Sequence, residues 1–451
     1  MKDLFEIARS GLIASQKNST VTANNIANAD TPGYSRQRVN LQPVDYNING
    51  SSMGLGVKAG DVVRVRDGLI DKQIQLKNQE LGGLNANSRI YGQLESLFIT
   101  KSGGDLDKNI SDFFNSFSDL ANNPQDINLR NVILSNSQTL VNKFHSLSNG
   151  LNQIKDETQK DTGNIINKIN SLLKDIAETN ISIAHSHAVG KSDNTSKDLQ
   201  TQKLNDLSKL IDFNTTTDNN GALEIRIGGL LVLSGSHASS IKPEITDPGS
   251  KMNLRLDNGK LLNVQKGQLA SEVKMINNVI PDLQTKLDNL ASNIVQNVNQ
   301  VHTSGYGLND SVQRNFFDPS KTTAATIQIN QDIQTHPGDI AASSVAGEAG
   351  NNQNALGLVN LRDKNVMNGK TFFQNALGLI SEPGITLSSI KSEIQTKQSA
   401  QQMLQNQQDS VSGVNLDEEL SKLIKFQNAY QASAKVMVAG KQMYDTLLNM
   451  I

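Results

Sequence analysis

The chain has 451 residues, 36% of them hydrophobic and only 4% aromatic, with a formal charge of -2 and neither cysteine nor tryptophan. So lean an apolar content, over a length that allows roughly two to four domains, predicts thin, elongated helical packing rather than one large globule. The absence of cysteine excludes disulfides, thiolate nucleophiles and cysteine-based zinc sites, and no Lys/Arg run is long enough to follow a phosphate backbone, which sets nucleic acid aside as a partner.

Residues 3–28 fit a helix whose stripe, Leu4, Ile7, Gly11, Ala14 and Val21, is continued by Asn18, Asn25 and Asn28. Small and amide side chains make this a narrow seam that allows close approach. Asp3 and Glu6 interrupt its apolar face, so a cleaved secretory signal is not expected. Thr31-Pro32-Gly33 ends the helix, because proline disfavours helical geometry in the residue before it. From Ser35 to Arg66 the period becomes two, with Val39, Leu41, Val57, Ala59, Asp61, Val63 and Val65, punctuated by Gly50, Gly54 and Gly56, which predicts an extended segment with a loose hairpin.

Helical periodicity returns from Leu69 to Phe98 and across Ile110, Phe113, Phe114, Phe117 and Leu120, then breaks at Asn122-Asn123-Pro124. The next long helix carries Ile165, Ile169, Leu172, Ile176 and Ile183 and is expected to stop in a polar loop, His185 to Lys197, centred on Gly190. Residues 221–264 read as a β insert of about four strands, placed on the outside and bounded by turn signals. Gly228-Gly229 is one turn, and Asn258-Gly259 predicts a type I′ hairpin. A heptad stripe follows through Leu269, Val273, Ile276, Ile280, Leu283, Leu287, Leu290 and Ile294, with Pro281 expected to kink or restart it. Between Gly305 and Gly384 the pattern is weak and predicts short elements with long connections.

The last helix is the best specified. Asn415 is a plausible N-cap, Glu418 completes a capping box, and Asp417 and Glu419 suit the positive end of the helix dipole. Its stripe runs through Leu416, Leu420, Leu423, Tyr430, Ala434, Met437, Tyr444, Leu448 and Ile451. No segment of the chain approaches ~18 consecutive apolar residues, so no membrane-spanning helix is expected.

Catalytic and ligand motifs are sparse. His185 and His187 form an HxH pair without a third ligand, and Asp417-Glu418-Glu419 diverge around a helix, where capping explains them better than acid/base chemistry. Gly54-Leu55-Gly56 and Ser102-Gly103-Gly104-Asp105 lack the lysine spacing and strand-to-helix context of a phosphate loop. Phe113, Phe114 and Phe117 read as helix core. No enzyme, cofactor or metal site is expected.

The segment Asn24-Asn25-Ile26-Ala27-Asn28-Ala29-Asp30-Thr31-Pro32-Gly33-Tyr34-Ser35-Arg36-Gln37-Arg38-Val39 closely resembles the N-terminal signature of the axial proteins of the bacterial flagellum. Within that group, Ser412-Gly413-Val414-Asn415-Leu416-Asp417-Glu418-Glu419 and Phe426-Gln427-Asn428-Ala429-Tyr430 look like the hook-associated members, and Phe113 to Arg130 and Val298 to Gly305 are similar to other family stretches. The resemblance implies a structural adaptor at the hook-filament junction. It also implies terminal helices paired as a coiled-coil axial domain, export through the flagellar type III apparatus without a cleaved Sec signal to an extracellular position, and a cytoplasmic export chaperone on the C-terminal helix. Implied partners are further copies of the chain, the hook protein and the next junction protein toward the filament. The rivals are a hook or distal rod protein, a secreted binding module with flagellar ends, and an enzyme carrying such ends.

The expected architecture is therefore mainly α with a small β part, elongated and multi-domain. Residues 1–34 and 412–451 form the terminal axial coiled-coil domain and 35–66 an extended linker or hairpin. Residues 67–213 and 265–411 form a mainly helical second domain, with a β insert at 214–264. The axial packing set is expected to be Leu4, Ile7, Gly11, Ala14, Val21, Asn24, Asn25, Ile26, Asn28, Pro32, Gly33 and Tyr34 at one end, and Leu416, Leu420, Leu423, Tyr430, Met437, Tyr444, Leu448 and Ile451 at the other.

Overall fold

The two ends of the chain fold against each other. In the computed structural model, which describes residues 2–48, 51–99, 105–246, 251–308 and 311–450, α1 (Lys2–Ala27) pairs antiparallel with α11 (Leu416–Leu448). Gly440 lies over Leu4 and Phe5, Ser433 over Gly11, and Glu419 bonds Asn25, so both helices advance by 7 and then 14 residues in step. That is a heptad register. A Cβ placed on Gly11 would come within 2.7 Å of Ser433 Oγ, so the small seam residue is what lets the helices approach.

The other side of α1 carries an antiparallel ribbon of β1 (Gln37–Ile48) and β2 (Ser51–Arg64). Ser10 Oγ accepts from the Val57 amide at 3.2 Å, and Lys17 Nζ donates to the Gly60 carbonyl at 2.6 Å. The helical body follows: α2 (Gly68–Phe98), capped by Asp67, then α3 (Leu106–Asn122), α4 (Ile127–Ala188) and α5 (Asn194–Leu210). At 62 residues α4 is on the order of 90 Å long and gives the molecule its elongated, mainly helical form.

Helix α4 runs through two separate apolar cores. The first gathers Phe113, Phe114, Phe117, Phe316, Phe317 and Phe372 with Ile133 to Ile154 of α4, and its rings meet largely edge to face. The second holds Ile165 to Ala177 of α4, α5 and the β insert. Between them α4 buries Thr158 and Thr162, whose hydroxyls bond back to the carbonyls of Ile154 and Thr158.

The insert has more strands than the alternation predicted. A four-stranded antiparallel sheet runs β3 (Asn214–Thr217), β4 (Leu223–Ile227), β5 (Leu230–Ser234) and β6 (His237–Ala238), beside a hairpin of β7 (Ile241–Ile245) and β8 (Met252–Leu256). Nor is it a detachable surface appendage: Ile225, Ile227 and Leu233 are fully buried in the second core. The type I′ conformation belongs to Gly228-Gly229, both at positive φ, 55° and 83°. At Asn258-Gly259 the expectation is corrected. Among the described residues only Asn368 is a non-glycine at positive φ, so Asn258 is not left-handed; Gly259, with φ 78°, donates to the Leu256 carbonyl and closes a type I turn followed by a left-handed glycine.

Asparagines fasten extended segments to helices. Asn170 takes both the N–H and the C=O of Ile241 at 2.8 and 2.9 Å, Asn180 those of Leu223 at 2.8 Å each, and Asn277 those of Met252 at 2.7 and 2.9 Å. Asn299 does the same to Phe317, at 2.9 Å for each bond. A side-chain amide can offer one backbone residue the donor and acceptor that a neighbouring strand would.

Two further expectations are corrected. Helix α4 continues to Ala188, so His185 and His187 lie on its last turn and the loop is shorter. At Pro281 the helix restarts as expected: α6 (Gly267–Lys274) gives way to one π turn, Met275–Val279, and α7 (Ile280–His302) begins with Pro281 in its first turn, the Ile280 N–H reaching back five residues to Met275. The wider turn accommodates a residue that has no N–H to give. After α8 (Gln331–Thr335) and α9 (Gln353–Asp363), the weakly patterned region ends in a long helix, α10 (Phe372–Ser412), with a Thr371/Gln374 capping box and Pro383 inside it.

Candidate assembly interface

The signature segment is where α1, the ribbon, the body and α11 meet. Asn25, 1% exposed, makes another two-point clamp, donating to the Gln37 carbonyl and accepting from the Gln37 amide, each at 2.9 Å. Its amide also donates to Glu419 Oε2 at 2.9 Å, and its oxygen accepts from the Tyr34 hydroxyl at 2.8 Å. Glu419 is 2% exposed and is paired with Lys422 at 3.0 Å. An asparagine with every group bonded thus fixes where α11 crosses α1.

Thr31-Pro32-Gly33-Tyr34 forms a turn closed by the Tyr34 amide on the Thr31 carbonyl, with Gly33 at φ 82°. Proline and then a left-handed glycine at the two central positions is the type II pattern. The turn delivers Tyr34 to Asn25, where burial, with the Asp198 and Glu419 carboxylates adding to it, pushes the phenol up to about 12. Beyond the turn, Ser35 bonds Asp198 of α5 at 2.6 Å, and Arg64 pairs with the same carboxylate at 2.9 Å. Arg36 reaches Glu418 at 3.1 Å and the Val411 carbonyl at 3.1 Å, while its amide donates to Ser412. Arg66 pairs with Asp71 at 2.6 Å and bonds Ser35.

The expected packing residues divide among several surroundings. Leu4 and Gly11 face α11. Ala14 and Val21 are buried in the row of Ser10 and Lys17, which faces the ribbon, and Ile7, 38% exposed, has its backbone beside Gly56 of β2. Asn28 bonds Asn24 at 2.6 Å, Ile26 and Tyr34 are half-buried, and Pro32 and Gly33 are exposed. On α11, Leu423 and Met437 are half-buried, whereas Leu416, Leu420, Tyr430, Tyr444 and Leu448 are exposed. Ile451 lies outside the described residues, as do Gly50 and the run Ser102 to Gly104.

Sequence reasoning missed the α11 column that meets α1, namely Glu419, Ser433 and Gly440, spaced in multiples of seven. All three are charged, polar or lack a side chain, so hydropathy gave no signal; the heptad spacing was the available one. Other apolar residues of α11, among them Leu420, Ile424 and Val438, are exposed in the single chain.

This geometry, a paired N- and C-terminal helix joined through the Thr31–Tyr34 turn to a helical body, agrees with the family models at both ends. Residues 5–34 match the flagella basal body rod protein model and 405–450 the C-terminal model of flagellar basal body rod FlgEFG proteins. Those matches define the class, a flagellar axial protein. Residues 91–317 match the helical domain of flagellar hook-associated protein FlgK, just over half of the 451 residues, and the chain belongs to that family.

The chain is 26% identical over 493 residues to flagellar hook-associated protein 1 of Bacillus subtilis, covering 99% of this chain and 97% of that protein. It is 24% identical over 555 residues to the Salmonella typhimurium protein of the same name, covering 100% of each. The flagellar hook junction protein FlgK of Burkholderia pseudomallei shares the fold, with a TM-score of 0.66 at 12% identity over 75% of this chain and 100% of that one. The relatives are structural flagellar proteins. Among the described residues no helix is long and apolar enough to cross a membrane, and no three His, Asp or Glu side chains are grouped to hold a metal ion.

Proposed function

We propose that the chain is a structural component of the hook-filament junction, an adaptor on which the filament can assemble, with no catalytic role. The observation that carries this reading is the terminal pair: one face of α11 is closed by α1 while Leu420, Ile424, Val438, Tyr444 and Leu448 stay open along the helix. An apolar row of that length is suited to packing against another protein. Residues 1–34 and 412–451 act as the axial unit, 35–66 connect it, and 67–213 with 265–411, carrying 214–264, form the outer body. The occupants of the open face are neighbouring copies, with the hook protein on one side and the next junction protein on the other. Before export a cytoplasmic chaperone covers it, and the chain leaves the cell by the flagellar route without a cleaved signal.

Electron microscopy of flagella decorated with gold-labelled antibody against the chain tests the position. A thin band between hook and filament is expected. Label along the whole hook would instead assign the chain to the hook itself.

A further inference from the structure

Asparagine followed by glycine is the peptide step most open to deamidation, because glycine sets no side chain beside the backbone nitrogen that attacks the asparagine amide. Among the described residues the chain has four such steps, Asn149-Gly150, Asn220-Gly221, Asn258-Gly259 and Asn368-Gly369. In three of them the glycine N–H is already engaged. Gly150 lies inside α4, Gly221 donates to the Asp218 carbonyl at 3.1 Å and Gly259 to the Leu256 carbonyl at 2.9 Å. Asn258 is held as well, its Oδ1 accepting from the Lys260 amide at 3.1 Å.

Asn368-Gly369 is built differently. Lys370 donates to the Met367 carbonyl at 3.0 Å and Met367 to the Lys370 carbonyl at 3.3 Å, around central residues at φ 55° and 71°, which is a type I′ turn. Asparagine is one of the few residues that tolerate the left-handed conformation required at 368. The bonds that close the turn join its first and last residues and leave the Gly369 N–H out. Among the described residues neither that N–H nor the Asn368 side chain has a hydrogen-bond partner, and both residues are exposed.

We propose that Asn368-Gly369 is a self-modification site, at which the folded chain deamidates. The Gly369 nitrogen bonds to Cγ of Asn368 and gives up its proton; the Cγ–Nδ2 bond breaks, and the side-chain nitrogen leaves with that proton as ammonia. Water then opens the cyclic imide at either carbonyl. One opening leaves aspartate at 368, and the other routes the main chain through Cγ as isoaspartate. The step consumes only water, so it accumulates in any copy of the chain that persists. Isoaspartate lengthens the backbone between two anchors, since Met367 packs against the first core and Phe372, at the start of α10, is fully buried in it. The Met367 carbonyl also accepts from the Asn375 side chain at 3.3 Å, which ties the turn to α10.

Peptide mass spectrometry of the purified full chain tests the site, by following the exchange of NH2 for OH at each asparagine in mildly alkaline buffer, with and without concentrated urea. In the folded chain Asn368 is expected to convert about fivefold ahead of Asn220 and Asn258, the factor that corresponds to the hydrogen bond their glycines must first give up. Asn149, inside a helix, should be slower still. In urea all four glycine amides are open and the rates should converge. Conversion of Asn368 no faster than that of Asn220 or Asn258 in the folded chain overturns the proposal, and so does an advantage of Asn368 that persists in urea, because the turn would then not be its cause.

Discussion

Asn25 and His302 show how single polar groups hold this molecule in place. In Asn25→Asp the carboxylate can no longer donate to the Gln37 carbonyl, and it faces the buried Glu419 across a former 2.9 Å hydrogen bond. Losing a buried donor costs about 1 to 3 kcal/mol, before any like-charge repulsion. Hydrogen exchange should therefore quicken in α1 and α11 while α4 stays protected; equal protection of α1 in variant and parent would refute the role given to Asn25. His302 is fully buried, its Nδ1 at 2.7 Å from the Arg314 carbonyl and its Nε2 accepting from the Ala341 amide at 2.9 Å. That pairing needs the neutral ring with its proton on Nδ1, and burial pushes the pKa down to about 4. The unfolded chain, with a histidine near its ordinary 6.5, binds the extra proton in between, so stability is complete above 6.5 and is lost as pH falls toward 4, by about 3 kcal/mol. Urea midpoints at pH 7 and pH 4.5 should differ for the parent, and by distinctly less in His302→Gln. An equal acid loss in both would place the effect elsewhere.

At the scale of elements, legibility followed the kind of side chain that does the holding. The bounds of α2 and α11 were readable because their stripes are apolar, and for α11 because Asn415 was recognisable as its N-cap. Helix α10 was not read: beyond Ile394 its contact row becomes amide and charge, with Gln401 on Asn78, Lys397 on Glu80 and Gln408 on Asp71, and hydropathy does not register such a face. The asparagine clamps were equally hidden, since nothing in a sequence says which backbone residue an amide will take. Their strength can be measured. Asn277→Leu leaves the Met252 N–H and C=O without the partners now at 2.7 and 2.9 Å, and should lower the stability of the full chain by about 1 to 3 kcal/mol in denaturant titration. A midpoint equal to the parent's would show that β8 is held by its apolar residues alone. For the assembly interface, the signature segment was legible as a unit, but its partners were not: Glu419 and Asp198 lie 394 and 163 positions from the residues they bind.

For the whole molecule, the division of α11 into a closed and an open face separates folding from assembly. Leu420 and Ile424 are 48% and 59% exposed in the single chain, so Leu420→Asp with Ile424→Asp should leave its melting transition unchanged. Covering each side chain in an assembly contributes about 1.5 to 3 kcal/mol, and a buried aspartate adds a desolvation cost. Because the export chaperone is assigned to the same face, export of the double variant is checked first, by assaying the chain in the medium; where it is exported, cells should build hooks yet shed flagellin, and normal filaments from an exported variant would contradict the assignment. The most direct measurement is a photo-crosslinking side chain placed at Leu420, activated in isolated flagella. The account predicts adducts joining the chain to a second copy or to an adjoining axial component. Chain that is present in those flagella but remains uncrosslinked would show that the open face of α11 meets no neighbour, and that the terminal pair is not the element by which this protein assembles.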